Sequence, residues 1–280
     1  MKNFFVIISA LISLTRPLNV LIAIVAVTVG GLLSGFLDRM LIIAAISAGL
    51  VLAGENAIND FFDFRTDLIN HPTRPIPLGI ISRSLAFWVG LILILIGICF
   101  SWHVGLSNFI IALILSIFLF VYSAFLSRTP IIGNFIVAFA GGITLIYGAI
   151  PGDYVSSKTI WAAIIAFGLH FAREIFKDIE DRLGDEEDNR KTLPIVTNPK
   201  KAAVFGFIGC VLSMLFIEIP YMFRVFGDYY QIVALLPFLG TGIAGVLGIQ
   251  GYVAKSQMVL KISMLLGIVA LIVEYFFPGK

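Results

Sequence analysis

The sequence has little charge. Only 13% of its 280 residues are Asp, Glu, Lys or Arg, and 59% are hydrophobic, whereas about a quarter of the residues in a soluble domain are charged. With a mean hydropathy of +1.03, this excludes a water-soluble globular protein and points to a polytopic membrane protein. Cysteine is also scarce. Cys99 and Cys210 both lie inside apolar stretches and form no CxxC, which excludes a disulfide framework and a thiolate metal site. The three histidines, His71, His103 and His170, are scattered singly. Alternating ten-residue strands are absent, so a membrane β-barrel is excluded. No nucleic-acid partner is expected.

What the sequence has in abundance is long apolar runs. Crossing a bilayer as a helix takes about 20 mostly apolar residues, and nine such runs lie near 17–37, 40–60, 85–102, 107–126, 131–150, 159–177, 202–220, 230–251 and 258–277. The expected fold is all-α, one domain over 1–280, a bundle of nine transmembrane helices around a central cavity. The glycine-rich run 131–150 is suited to close packing or bending. The opening MKNFFVIISALISLT has the lysine and apolar run of a signal peptide. Arg16-Pro17 follows where a small-residue cleavage site would stand, so an interfacial or helix-starting segment is expected instead.

With nine spans, the N-terminus shares a side with the loops after the second, fourth, sixth and eighth. All but four of the 19 lysines and arginines fall on that side, the exceptions being Arg39, Lys158, Arg224 and Lys280. Positive loops face the cytoplasm, so the N-terminus and those loops are expected there, in a multi-pass protein of the cell membrane. Asp60, Asp63, Asp67, Glu174, Asp178, Asp181 and Asp185 gather on the same side, while mid-span ionisable residues are nearly absent.

Two acidic ladders stand out. Asn56, Asp60, Asp63 and Asp67 are spaced 4, 3 and 4, and Glu174, Asp178, Asp181 and Asp185 repeat that spacing. On a helix each set falls within an arc of roughly 60°. Like charges at these spacings repel, more so near a membrane, so the stripes need a compensating cation. Mg²⁺ is a hard ion that typically takes one or two carboxylates plus substrate phosphates. Two facing stripes could hold several Mg²⁺ with a diphosphate between them. Arg74 and Lys177 are expected to grip phosphate, Arg as a fork and Lys as a point charge. Arg83, Lys200 and Lys201 read as ordinary loop cations, Arg65 stays open between the two, and GDEEDNRK reads as a solvated loop in which Glu186, Glu187 and Asp188 have no role.

The residues also resemble a family. NDFFDFRTD fits the first signature, NDxxDxxxD, of the UbiA-type intramembrane prenyltransferases. KDIEDRLGD resembles the second, HPTRPIPLG the segment after the first, and TRPLNV the start of the first helix. The likeness spans the chain. It implies Mg²⁺-dependent transfer of a prenyl group from an allylic diphosphate, with Asn56, Asp60, Asp63 and Asp67 as one metal-binding arm and Asp178, Asp181 and Asp185 as the other. The same six aspartates are the expected catalytic set, and Asn56, Arg74 and Lys177 the diphosphate-binding set; Glu174 continues the spacing.

Within the family, REIFKDIEDRLGDEEDNRKTLPI is most similar to the archaeal digeranylgeranylglyceryl phosphate synthases, although EEDNR is charged where those are short and small. That implies geranylgeranyl diphosphate as donor and geranylgeranylglyceryl phosphate as a lipid-like acceptor. The alternatives are the same chemistry on an aromatic acceptor, or a cation transporter. Tyr122 and Tyr147 are candidate aromatic faces for a carbocation, and His71 is a candidate base.

Overall fold

A computed structural model describes residues 4–279; Lys2 and Lys280, which enter the charge asymmetry, lie outside them. Among the described residues all the regular structure is helical. In order, α1 is Phe4–Thr15, α2 Pro17–Leu33, α3 Arg39–Phe62, α4 Phe64–Asn70, α5 Arg83–Val104 and α6 Leu106–Ala124. Then come α7 Ile132–Ala149, α8 Ser157–Glu180, α9 Arg182–Glu187, α10 Leu193–Val196, α11 Pro199–Met222, α12 Asp228–Ile249 and α13 Val253–Phe276. Among the described residues eight helices are long and apolar enough to cross a membrane, and α1 with α2, bent by 44°, makes up a ninth span.

The bend follows from Pro17, which has no amide hydrogen and bars its predecessor from helical geometry. Arg16 accordingly adopts a left-handed conformation at φ 51° and ψ 66°. Ahead of the break, Phe4, Phe5, Val6 and Ile12 are exposed apolar side chains.

Glycines set how closely the helices approach. A Cβ on Gly54 would stand 2.5 Å from the Gly90 carbonyl oxygen, so α3 and α5 touch backbone to backbone. In the glycine-rich α7, a Cβ on Gly142 would meet the Ala163 carbonyl oxygen of α8 at 2.7 Å. With little hydrophobic force between helices in lipid, such packing contributes much of the association.

Two polar contacts fix the antiparallel register of α8 and α13. At one end Lys158 Nζ lies 2.6 Å from Glu274 Oε1, and Glu274, fully buried, also accepts from the Gly227 amide at 2.8 Å. At the other end Gln257 donates to Glu180. The chain crosses back and forth so that α3 and α8 finish at the same end, and that end carries the polar site.

Candidate active site

Both acidic ladders reach the end of a long helix and are broken there. α3 stops at Phe62 and α4 restarts at Phe64, with Asp63 capping between them. α8 stops at Glu180 and α9 restarts at Arg182, with Asp181 between them. Each capping aspartate therefore sits at a joint, followed by a short helix that turns its own aspartate inward: Asp67 on α4 and Asp185 on α9, both buried. Asn70 ties the two short helices together. Its Nδ2 donates to the Asp181 carbonyl at 2.7 Å and its Oδ1 accepts from the Gly184 amide at 3.0 Å.

The joints line one pocket. Its carboxylates are Asp63, Asp67, Asp178, Asp181 and Asp185; its cations are Arg16, Arg74, Lys177 and Arg190; Asn59, His71 and Tyr122 also face it. An open depression beside Phe61, Arg83, Ser84 and Phe87 holds no carboxylate. There Arg83 lies 4.8 Å from the Phe61 ring centroid.

Two expected ligands lie elsewhere. Asn56 and Asp60 are buried beneath the pocket and do not line it. Asn56 Nδ2 donates to the Thr15 carbonyl at 3.0 Å. Asp60 Oδ1 accepts from Arg16 Nη2 at 2.5 Å and faces Arg74 Nη1 at 3.5 Å. The pair thus holds the α1–α2 break and aims two guanidiniums. Asn59, which the ladder passes over, takes the lining position, four residues before Asp63 and eight before Asp67.

Glu174 is likewise below the pocket, paired with Arg173 at 2.9 Å and Lys177 at 3.4 Å. The loop after Asp185 is not simply solvated. Asp188 is buried and faces Arg128 at 3.2 Å and Arg190 at 3.3 Å, while Glu187 is exposed. Tyr147 lies away from the site, its hydroxyl 3.0 Å from the Ser47 hydroxyl. His170 packs against Gly141. The expected scarcity of mid-span ionisable groups overlooks Glu55, one turn below Asn59, whose carboxylate oxygens are buried without a hydrogen-bond partner.

Guanidiniums occupy the carboxylates. Arg74 Nη1 lies 2.7 Å from Asp67, Arg190 Nη2 lies 2.7 Å from Asp63, and His71 Nε2 lies 3.2 Å from Asp181. Asn134 Nδ2 donates to Asp178 at 2.9 Å. Burial pushes the Asp67 carboxyl up to about 6 against the opposing Arg74 charge, and pushes Asp185 up to about 6 against Arg190. Burial also acts to raise Asp181, but the His71 bond and neighbouring cations bring it below the usual carboxylate range.

Among the described residues no three acidic, histidine or cysteine groups are grouped closely enough to hold an ion as they stand. The donor set nonetheless fits a hard cation: five carboxylates and the Asn59 amide line one pocket, and Asp63, Asp67, Asp178 and Asp181 each now meet a nitrogen donor within 3.2 Å.

The comparisons with known proteins decide the family. The model of the UbiA prenyltransferase family matches residues 16–275. The chain belongs to the UbiA prenyltransferase family. It is 36% identical over 272 residues to the digeranylgeranylglyceryl phosphate synthase of Methanopyrus kandleri, covering 93% of this chain and 97% of that one. The Thermococcus kodakarensis protein of the same name is 34% identical, with 94% and 97% covered. Among solved structures, one described as giving insights into digeranylgeranylglyceryl phosphate synthase in membranes superposes with a TM-score of 0.75 at 28% identity, covering 96% of this chain and 98% of that one. A UbiA homolog from Archaeoglobus fulgidus bound to DMAPP and Mg²⁺ shares the fold, with a TM-score of 0.69 at 16% identity over 93% and 98% of the chains. The nine-span bundle is thus the UbiA fold, and the chain is a multi-pass membrane prenyltransferase.

Proposed function

We propose that this chain transfers a geranylgeranyl group from geranylgeranyl diphosphate to the free hydroxyl of geranylgeranylglyceryl phosphate, forming an ether lipid, with Mg²⁺ as the metal. The observation that carries the reading is the convergence of both acidic arms on one pocket at one end of an otherwise apolar bundle. The relatives' names support the acceptor, and the Mg²⁺-bound homolog supports the metal.

In this reading Asn59, Asp63 and Asp67 form one metal-binding arm and Asp178, Asp181 and Asp185 the other. When bound, Mg²⁺ neutralises the leaving diphosphate and acts as a Lewis acid. Arg16, Arg74, Lys177 and Arg190 hold the phosphate oxygens and place positive charge where negative charge develops. Asp60 and Asn56 position Arg16 and Arg74. The allylic C–O bond breaks, the acceptor oxygen bonds to the prenyl carbon, and the hydroxyl proton leaves to the diphosphate or a carboxylate. Apolar spans exclude water from the cation, and the Tyr122 ring faces the pocket where it forms. The charge asymmetry supports a cytoplasmic site and N-terminus in the cell membrane.

The test is incubation of the purified chain with radiolabelled geranylgeranyl diphosphate and paired acceptors. Label in the glycerol phosphate lipid supports the reading. Label in hydroxybenzoate, homogentisate or naphthoate instead would replace the acceptor.

A further inference from the structure

Arg190 reaches the pocket from the segment after α9, and a helix cap turns it there. Asn189 is left-handed at φ 54°. The Asn189 amide donates to the Glu186 carbonyl at 3.1 Å, and the Arg190 amide donates to the Asp185 carbonyl at 2.9 Å. These are the two bonds of a Schellman cap, in which one left-handed residue ends the helix and reverses the chain. The reversal brings Arg190 back over the acidic arms.

The guanidinium is then shared between two sides. Nη2 lies 2.7 Å from Asp63 Oδ1, a carboxylate of the pocket. Nε lies 3.3 Å from Asp188 Oδ2. Asp188 is buried and does not line the pocket. It is held in turn by Arg128 Nη2 at 3.2 Å, and the Lys191 amide donates to the Arg128 carbonyl at 2.9 Å, so the segment is tied to the turn after α6. Among the described residues Arg190 Nη1 has no hydrogen-bond partner. A forked cation is thus anchored at Nε, engaged at one Nη and free at the other.

Charge decides what displaces it. Five carboxylates and four cations line the pocket, so its charge is nearly balanced before any ion enters. A divalent ion arriving alone meets a guanidinium already seated on Asp63, and like charges repel strongly where water is scarce. A diphosphate brings negative charge and oxygens that suit a guanidinium fork. It draws the Nη edge off Asp63 while Nε stays on Asp188. We propose that Asp188 is a positioning residue for the transfer reaction: by holding Arg190 at Nε it lets the guanidinium pass from Asp63 to the entering diphosphate, so that Asp63 is freed for the metal only when the diphosphate is in place. This rests on the reading of the pocket as a metal and diphosphate site.

The test compares wild type, Arg190→Gln, Asp188→Asn and the double variant, as full chains in nanodiscs of zwitterionic lipid. Mn²⁺ binding is followed by electron paramagnetic resonance with and without geranylgeranyl thiodiphosphate, and binding of the radiolabelled analogue is measured without metal. In wild type the analogue should tighten Mn²⁺ binding at least tenfold, an ordinary coupling between two ligands. Arg190→Gln should bind Mn²⁺ without the analogue about tenfold more tightly than wild type, a gain that misfolding cannot produce. Unchanged Mn²⁺ binding by Arg190→Gln overturns the proposal.

Asp188→Asn leaves Arg190 in place. It should weaken the analogue about tenfold, as for one charged hydrogen bond, and leave analogue-free Mn²⁺ binding unchanged. Analogue binding equal to wild type overturns the proposal, whether or not Arg190→Gln folds. In the Arg190→Gln background Asp188→Asn should cost nothing further, because Asp188 acts through Arg190. An equal loss in both backgrounds makes Asp188 merely structural and also overturns it. The proposal and the function reading fail separately. Prenyl transfer to the glycerol phosphate lipid, with wild-type Mn²⁺ binding in Arg190→Gln, sinks the proposal and keeps the reading. The expected Mn²⁺ and analogue profile without transfer to that lipid keeps the proposal and replaces the acceptor.

Discussion

Arg190 Nη2 lies 2.7 Å from Asp63 Oδ1, although 127 residues separate them in the chain. The same guanidinium places its Nε 3.7 Å from Asp185 and 3.3 Å from Asp188. One buried side chain thus holds a carboxylate from each acidic arm, and the spacing between the arms depends on it.

Replacing Arg190 tests that dependence. Arg190→Lys keeps the charge and loses the fork that reaches several carboxylates at once. Prenyl transfer should fall about 10²-fold in kcat/KM, since a misplacement of about 1 Å costs roughly that much. A rate within about threefold of wild type would mean that the arms are spaced by other contacts.

Asp60 and Asp63 should behave differently although they share one ladder. Asp63 lines the pocket and Asp60 lies beneath it, holding Arg16 and Arg74. Asp63→Asn should lower diphosphate release about 10²–10³-fold at any Mg²⁺ concentration, the scale of losing a preorganised charge contact. Asp60→Asn should act mainly by raising the KM of the prenyl diphosphate about tenfold, as its two guanidiniums lose their anchor. Steady-state kinetics at several Mg²⁺ concentrations separate the two. Identical profiles would return Asp60 to the metal-binding arm.

The contact between the short helices should be intolerant of bulk. A Cβ on Gly184 would stand 2.7 Å from the Thr66 carbonyl oxygen and 2.5 Å from Asn70 Nδ2. Gly184→Ala should therefore force α9 away from α4, with a stability loss of about 1–3 kcal/mol and a matching loss of activity. Thermal unfolding of the detergent-solubilised chain measures it, and an unchanged Tm would show that α4 and α9 move freely.

Acidity should act on activity and stability in opposite directions. Asp67 and Asp185 titrate at about 6 in the folded chain, against an ordinary value of 3.8. Between those values the folded chain binds more protons than the unfolded one, so the contribution of this pair to stability falls as pH rises through about 6. Without metal, the chain should melt at a higher temperature at pH 5 than at pH 7, as far as these two groups decide it. Activity should do the reverse, falling below about pH 6 as the carboxylates become protonated. Mg²⁺ should raise the melting temperature more at pH 7 than at pH 5. A metal effect that grows on acidification would contradict this.

Much of the fold is legible because a bilayer leaves few choices. The nine apolar runs are the nine spans, and Arg16-Pro17 marks the bend between α1 and α2. The ladders bring the right helix ends into view, but a fixed turn of 100° per residue does not tell which of their members line the pocket. The helix breaks at Asp63 and again at Asp181, so a projection carried through the joint places Asn56 and Asp60 in line with Asp67 when the pocket lies nearer Asn59. The interval Asn59, Asp63, Asp67 was available as an alternative reading of the same stretch. Arg190 and Asp188 were hidden for another reason. Composition makes GDEEDNRK look like solvent-facing loop, and only the fold shows it turning back over the arms.

The account stands on both acidic arms acting on one diphosphate. Binding of Mn²⁺, followed by electron paramagnetic resonance in the presence of a non-reactive geranylgeranyl thiodiphosphate, tests this most directly. Wild type should bind the metal tightly only with the analogue present, and either Asp63→Asn or Asp181→Asn alone should abolish that binding. Retention of analogue-dependent Mn²⁺ by either single variant would show that one arm suffices, and would contradict the account.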